Sequence, residues 1–299
     1  MISESTDYKK YLAEGVVGAL SVDVEDWYHI LETGAAPVIG QWASLESRIE
    51  SSLERILELL DNYNIHATFF WLGWLAKRHP KLVTKCKQQG HEIASHGYAH
   101  LLPWDVGHKL FKNDADLAKK VLEDVTGEQI LGYRTAGFGI TNKAKWALDI
   151  IAEAGYKYDS SIIPTFLEHG KVYYSECVPF AIPTQNGLLI EIPMSTLKLS
   201  YLKIRFVGGG YLRLLPKWFI RLGINHLQKT SRPLIVYIHP REIDLDHPHL
   251  PLNFFRHFRC YFNLKSTMPK LKWLCENYSY CTMRELAENF EKSLNQASI

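Results

Sequence analysis

The stretch VGALSVDVEDWYHI, residues 17–30, decides how the chain folds. Through Val24 it is apolar at successive positions rather than at alternate ones, which fits a strand covered on both faces, as in a parallel sheet. Asp23, Glu25 and Asp26 then place three carboxylates within four positions. Carboxylates crowded at the end of a buried strand repel one another and are costly to desolvate, so a positive partner is expected beside them.

Working outward, runs of the same character recur at HATFF (66–70), HEIASH (91–96), ILGYRTA (130–136), YKYDSS (156–161), LLIEIP (188–193), LIVYIH (234–239) and YSYCTM (278–283). Helical spacing separates them. Leu45, Ile49, Leu53, Ile56 and Leu60 follow a Ser44 cap, Leu117, Val121 and Leu122 run up to a Gly127 stop, and Leu148, Ile151 and Ala152 precede Gly155. The alternation predicts an α/β protein with a parallel sheet and outer helices. Seven or eight such units, with no Pro-, Gly- or Ser-rich linker between them, predict a closed or nearly closed barrel and a single domain over 1–299. Its core is expected at about 16–196 and 233–290. Residues 197–232 break the rhythm. GGG at 208–210 and RLLPKWFIRLGINHLQ at 213–228 predict a loop and an inserted helix, and insertions after barrel strands shape the substrate face.

Composition narrows the class. The chain has 299 residues, 46% hydrophobic and 22% charged, with a formal charge of +2, the balance of an ordinary folded protein with no polyelectrolyte character. Nucleic acid is therefore not an expected partner. Five cysteines without a CxxC pair argue against a disulfide framework and a zinc–thiolate site. The first residues lack a basic-then-apolar leader, and the longest apolar run, ATFFWLGWLA, is too short for a membrane span, so a cytoplasmic protein without a span is expected.

The unusual polar residues fall at the C-terminal ends of successive predicted strands, which converge on one mouth in a barrel. They are Asp23, Glu25 and Asp26, then His96 and His100, Arg134, Glu191 and His239. In SHGYAH (95–100) the two histidines stand four apart. If the residues after the strand turn into a helix, both imidazoles project to one side and can grip one ion. Two imidazoles and a carboxylate leave positions open for water and substrate, a set suited to zinc and open to other divalent metals. Each residue alone has a plainer reading as surface histidine, helix cap or salt-bridge partner. Their shared placement at one end favours a site. Trp27 and Tyr28, just beyond the carboxylates, are candidates for a sugar-stacking surface, whereas Arg205, Arg213, Arg256 and Arg259 read as solvated first, with an anionic sugar or a diphosphate-linked precursor as the alternative.

LSVDVEDWYHI (20–30), GHEIASHGYAH (90–100), GYRTAGFGI (132–140) and VYIHPREID (236–244) together resemble the NodB-type polysaccharide deacetylases, carbohydrate esterase family 4. The likeness is nearest to the branch found in exopolysaccharide and exosortase-linked gene clusters, and it runs from about residue 16 to 290. It implies a distorted (β/α) barrel of seven or eight strands with a C-terminal extension, and hydrolysis of an N-acetyl group on a hexosamine with the help of a divalent metal, zinc first. It makes Asp23 the catalytic base, His96 and His100 metal ligands, Arg134 the residue that orients the base, and His239 the acid for the leaving group. The family's ligand aspartate usually follows the base directly, where Val24 stands here. The variant spacing D-x-[DE] points to Glu25, with Asp26 as second choice. The carboxylate that tunes His239 is expected to be Glu191, with Asp159 as alternative, and a backbone N–H at Thr135 or Ala136 would complete the oxyanion site. Two other readings stay open: a metal-independent amidohydrolase of the same fold acting on a small ureide such as allantoin, and a noncatalytic carbohydrate-binding relative.

Overall fold

A computed structural model describes residues 15–31, 33–165, 176–199 and 202–297. Eleven strands occur among them: β1 (Val16–Val24), β2 (Thr68–Trp71), β3 (Glu92–Ser95), β4 (Gly132–Tyr133), β5 (Tyr158–Asp159), β6 (Phe180–Thr184), β7 (Gly187–Glu191), β8 (Thr196–Leu199), β9 (Leu202–Arg205), β10 (Leu234–Ile238) and β11 (Ser279–Cys281). Nine build one curved sheet in the order β10-β1-β2-β3-β4-β5-β7-β6, with β11 beside the start of β1. Every pairing in it is parallel except β6 with β7. Among the described residues β10 and β6 do not meet, so the distorted barrel is left unclosed between them.

The register fixes the mouth. Val24 pairs with Trp71, Trp71 with Ser95, Ser95 with Tyr133, Tyr133 with Asp159 and Asp159 with Glu191. On the other side Val22 pairs with Ile238. One row thus crosses the sheet at its C-terminal rim, and Glu25, His96, Arg134 and His239 lie just past it.

Strand alternation decides which side chains look into the barrel. Leu20, Val22, Val24, Phe69, Trp71, Ile93, Tyr133 and Leu189 belong to the large core beneath the outer helices. Ala19, Phe70, Ala94, Tyr158, Ile190, Ile235 and Tyr237 belong to an inner core that Met283, Leu286 and Phe290 of the last helix cover. By the same parity Asp23, Arg134 and His239 share the inner face, whereas Asp159 and Glu191 alternate to the other.

Several expectations need correction. The first long helix is Ile49–Asn62 and begins after Ser44 and Leu45; Ser44 caps nothing there, its hydroxyl donating back to Gln41 O at 2.7 Å. Asp26 supplies the acceptor instead, taking Ser47 Oγ–H at 2.6 Å and Arg48 N–H at 3.1 Å. The loop expected at GGG, 208–210, is a helix start instead, with Gly208 capping helix Gly209–Leu214, and the segment from 197 opens on the β8–β9 hairpin, antiparallel from Thr196 to Arg205. The helix expected over 213–228 is two, Gly209–Leu214 and Lys217–Lys229, separated at Pro216 because proline suits a helix start and cannot continue one. Among the described residues no helix is long and apolar enough to cross a membrane.

Candidate active site

Arg134 is fully buried and held from four directions. One terminal nitrogen, Nη1, donates to Asp23 Oδ1 at 2.5 Å and Ser21 Oγ at 2.9 Å; Nε donates to Ser160 O at 3.0 Å, and Nη2 to Ser160 Oγ at 3.1 Å. Its guanidinium also sits 4.0 Å from the ring centre of Phe70. A planar cation fixed this way pins one oxygen of Asp23. The second, Oδ2, is left 4.0 Å from His239 Nε2.

Beside Asp23 lies a cluster of Glu25, His96 and His100, all buried, whose ligand atoms fall within 4.8 Å of one another. Glu25 Oε1 is 3.1 Å from His96 Nε2 and 2.9 Å from His100 Nε2. Two bonds of about 2.1 Å at a tetrahedral angle put ligand atoms about 3.4 Å apart, so this spacing suits a small divalent ion. Donor chemistry agrees. His96 Nδ1 donates to Arg134 O at 2.8 Å, which leaves the Nε2 lone pair aimed at the cluster. Burial alone would raise the pKa of Glu25, but His100, His239 and His96 together hold it well below the usual range; burial lowers that of His100. An ionised carboxylate beside neutral imidazole is what a metal needs. Asp26 faces the other way, its oxygens occupied by Ser47, Arg48 and the Trp27 N–H at 2.9 Å.

The histidines are not brought together by a helix. Residues 96–102 form a loop, with the backbone at positive φ at Gly97 (75°) and His100 (55°). Asp114, from helix Pro103–Thr126, accepts Tyr98 N–H and Ala99 N–H at 2.8 Å each and fastens the loop between the two ligands. A side chain at Gly97 would place its Cβ 2.7 Å from Asp114 Oδ2.

His239, 14% exposed, is 3.8 Å from Glu25 Oε1 through Nε2. Its other nitrogen, Nδ1, lies 3.2 Å from Glu242 Oε2, and its N–H donates to the same oxygen at 3.0 Å. Glu242 is in turn bound by Arg213 Nε at 3.0 Å. Burial pushes the Glu242 pKa up, yet Arg213 and His239 outweigh it and hold it at about 2. His239 is raised: burial opposes, and Glu25 and Glu242 prevail. The carboxylate that touches His239 is therefore Glu242, not Glu191 or Asp159. Glu191 Oε1 accepts Ile162 N–H at 3.0 Å, and Asp159 Oδ1 accepts Ser161 Oγ–H at 2.6 Å. Their remaining oxygens are buried and meet no donor among the described residues. The two carboxyls pair with each other, so one keeps its proton, and the pKa of Glu191 rises far above the usual range through burial and the Asp159 charge. Arg213, read as solvated, is buried for the same contact that fixes Glu242.

Three expected substrate contacts are corrected. Trp27 and Tyr28 are buried with Ile30, Trp42, Leu250, Tyr261 and Leu264, and Trp27 Nε1 donates to Glu46 O at 3.0 Å, so neither offers a free face to a sugar. The Thr135 N–H is already given to Ser161 Oγ at 2.7 Å.

Comparison with known proteins finds two family matches along the chain. Residues 43–158 match the family described as polysaccharide deacetylase, and residues 160–288 a domain of unknown function, DUF3473. Residues 43–158 are a polysaccharide deacetylase domain. His96, His100 and Arg134 belong to it; Asp23 and Glu25 precede it, and His239 and Glu242 come from the second matched span. The chain is similar to a peptidoglycan-N-acetylglucosamine deacetylase of Bacillus cereus, 35% identical over 103 residues, 34% of this chain and 46% of that protein. It is also similar to a peptidoglycan deacetylase of Helicobacter pylori, 26% identical over 157 residues, 48% of this chain and 53% of the other. The chain thus spans about half the length of these relatives. Among solved structures, one described as a polysaccharide deacetylase from Mycobacterium smegmatis covers 94% of this chain and 93% of its own at 19% identity, TM-score 0.62. The PuuE allantoinase covers 95% and 93% at 16% identity, TM-score 0.60. At such identities the likeness shows the deacetylase-type fold alone.

Proposed function

We propose that the protein hydrolyses an N-acetyl group on a hexosamine of a polysaccharide or glycan precursor, releasing acetate. One observation carries the reading: a base candidate, Asp23, and a metal-type cluster, Glu25–His96–His100, stand side by side, with His239 within 4.0 Å of both. The relatives named as peptidoglycan deacetylases support the substrate class. Glu25, His96 and His100 would hold a divalent ion, zinc first, which when bound lowers the pKa of a water and polarises the acetamide carbonyl.

The chain's own residues then divide the proton transfers. Asp23 takes the proton of the attacking water through Oδ2, while Arg134 keeps its other oxygen fixed. His239, protonated and oriented by Glu242, donates to the departing nitrogen; positioned acids and bases each contribute roughly 10²–10⁴-fold. With the Thr135 N–H engaged elsewhere, Ala136 N–H is the backbone donor assigned to the developing oxyanion.

Asp23→Asn should retain bound metal by elemental analysis yet lose acetate release from N-acetylglucosamine oligomers by about 10² or more. His96→Ala should lose the metal itself. An Asp23→Asn protein that still releases acetate at the wild-type rate would remove the base from the scheme.

A further inference from the structure

Charge is not spread evenly along this chain. Residues 192–275 contain 14 Lys and Arg against 3 Asp and Glu, a formal +11, which leaves −9 for the rest of a chain that totals +2. No acidic residue occurs between Asp246 and Glu276.

The same segment contains helix Phe254–Tyr261. Its inner side packs through Tyr261 into the cluster of Trp27, Tyr28, Leu250 and Leu264. Its outer side leaves Phe254 and Phe255 78% and 80% exposed, and Phe258 and Phe262 42% and 47%. Positions 254 and 258 are four apart and share one face of the helix, and Phe262, just past its end, continues that face by its contact with Phe258. Phe258 and Phe262 stack at 4.5 Å, and Phe254 and Phe255 stand 5.7 Å apart. Scattered exposed apolar residues are ordinary, whereas four phenylalanines within nine positions form a contiguous patch that requires an occupant. Arg259 and Lys265 are exposed beside it.

We propose that this helix docks the protein on an anionic lipid bilayer, its phenylalanines entering the headgroup–acyl boundary while the exposed Arg259 and Lys265 meet the lipid phosphates. Charge selects the occupant: Arg205, Arg213 and Lys270 are buried and spent inside the protein, but Arg259 and Lys265 stand exposed beside the stripe in a stretch with no acidic residue between Asp246 and Glu276, and an aromatic stripe with basic neighbours complements a broad negative surface. The helix is also tied to the candidate active site. Arg213 donates to Phe262 O at 2.8 Å, Arg259 O at 2.9 Å and Cys260 O at 3.1 Å, and through Nε it holds Glu242, the partner of His239. Arg256 bonds Leu31 O, just beyond the strand that carries Asp23. A docked molecule therefore carries its cleft at the bilayer surface.

The test is co-sedimentation of the full chain with vesicles of phosphatidylcholine alone and of phosphatidylcholine mixed with phosphatidylglycerol, at low and high salt. Binding is expected to the mixed vesicles and to weaken as salt rises. The double variant Phe254→Ser/Phe258→Ser should lower partitioning by at least about tenfold, since each phenylalanine buried in lipid is worth roughly that factor, with an unchanged melting temperature. Failure of the wild type to bind mixed vesicles at low salt, or wild-type binding by the double variant, overturns the proposal. So does light scattering that shows a dimer which the double variant converts to monomer, because the stripe would then belong to a second copy of the chain.

Discussion

Three buried glutamates show how neighbours decide what a carboxylate does. Glu25 faces imidazoles and Glu242 faces Arg213 and His239, and both are held in the ionised form. Glu191 faces Asp159 and is pushed to the protonated form by burial and by that charge. Its folded pKa lies above the unfolded value, so the proton it keeps contributes stability that is full below about pH 4.5 and is lost as pH rises through the folded pKa. Glu191→Gln should replace the shared proton with an amide N–H to Asp159 while its oxygen keeps the Ile162 N–H. Urea melts should therefore find the variant more stable than wild type at pH 8 and no more stable at pH 5; a loss of stability at pH 8 would refute the shared proton. The sequence displayed Glu191 as a polar residue at a strand end, but LLIEIP is apolar on both sides, so nothing in it tells which face Glu191 takes. Glu242 had a visible sign that went unread: an acidic residue three positions after His239, with proline between, is the spacing that reaches back to the first N–H of a turn.

At the scale of elements, the loop between β3 and the following helix does the work that a helix was expected to do. The i, i+4 spacing of His96 and His100 was informative about their meeting and wrong about the means, because a loop with two left-handed residues can also converge two side chains. Its fastener, Asp114, lies fourteen residues past His100 and could not be matched to the loop without coordinates. A sign existed even so: Asp114 sits on the apolar stripe of its helix with Phe111, Ala115, Ala118 and Leu122, where an acid needs a reason. Both carboxylate oxygens accept a backbone N–H, and burial pushes the pKa up to about 6, so at neutral pH the group is the anion that can accept twice. Asparagine has one acceptor and would turn an N–H toward an N–H. Asp114→Asn should cost about 1–3 kcal/mol in stability and about 10–100-fold in metal affinity, the latter read by competition with a chelator. Unchanged affinity would mean that the loop holds its shape without this tether. Trp27 and Tyr28 went wrong at the same scale, since the side chains that cover them, Leu250, Tyr261 and Leu264, arrive from more than two hundred residues away.

Over the whole molecule, the strand-rich runs gave away the parallel α/β architecture, because continuous apolar stretches have few other homes. The unclosed edge was hidden: β6 and the β8–β9 hairpin pair locally and carry Pro183 and the charged Lys198, Lys203 and Arg205, which dilute the apolar signature. Two family profiles meet near residue 159, yet the sheet does not divide there. β1 is flanked along Gly18–Val22 by β10 and at its start by β11, both from the second span, and β5 passes directly to β7. The inner core likewise joins Ala19, which precedes the first span, and Phe70 and Ala94 within it to Ile235, Tyr237 and Met283 of the second. We therefore expect one cooperative unit. A chain ended after Ser160 would expose one edge of β1 and strip the cover from the inner core, leaving both unpaired backbone and apolar surface in water. Such a fragment should show no near-ultraviolet dichroism and no cooperative urea transition, whereas the full chain should unfold in a single transition with coincident tryptophan fluorescence and far-ultraviolet signals. A fragment that melts cooperatively by itself, or a full chain that unfolds in two separated steps, would mean that the two spans fold independently and that His239 is brought to Asp23 by docking rather than by a shared sheet.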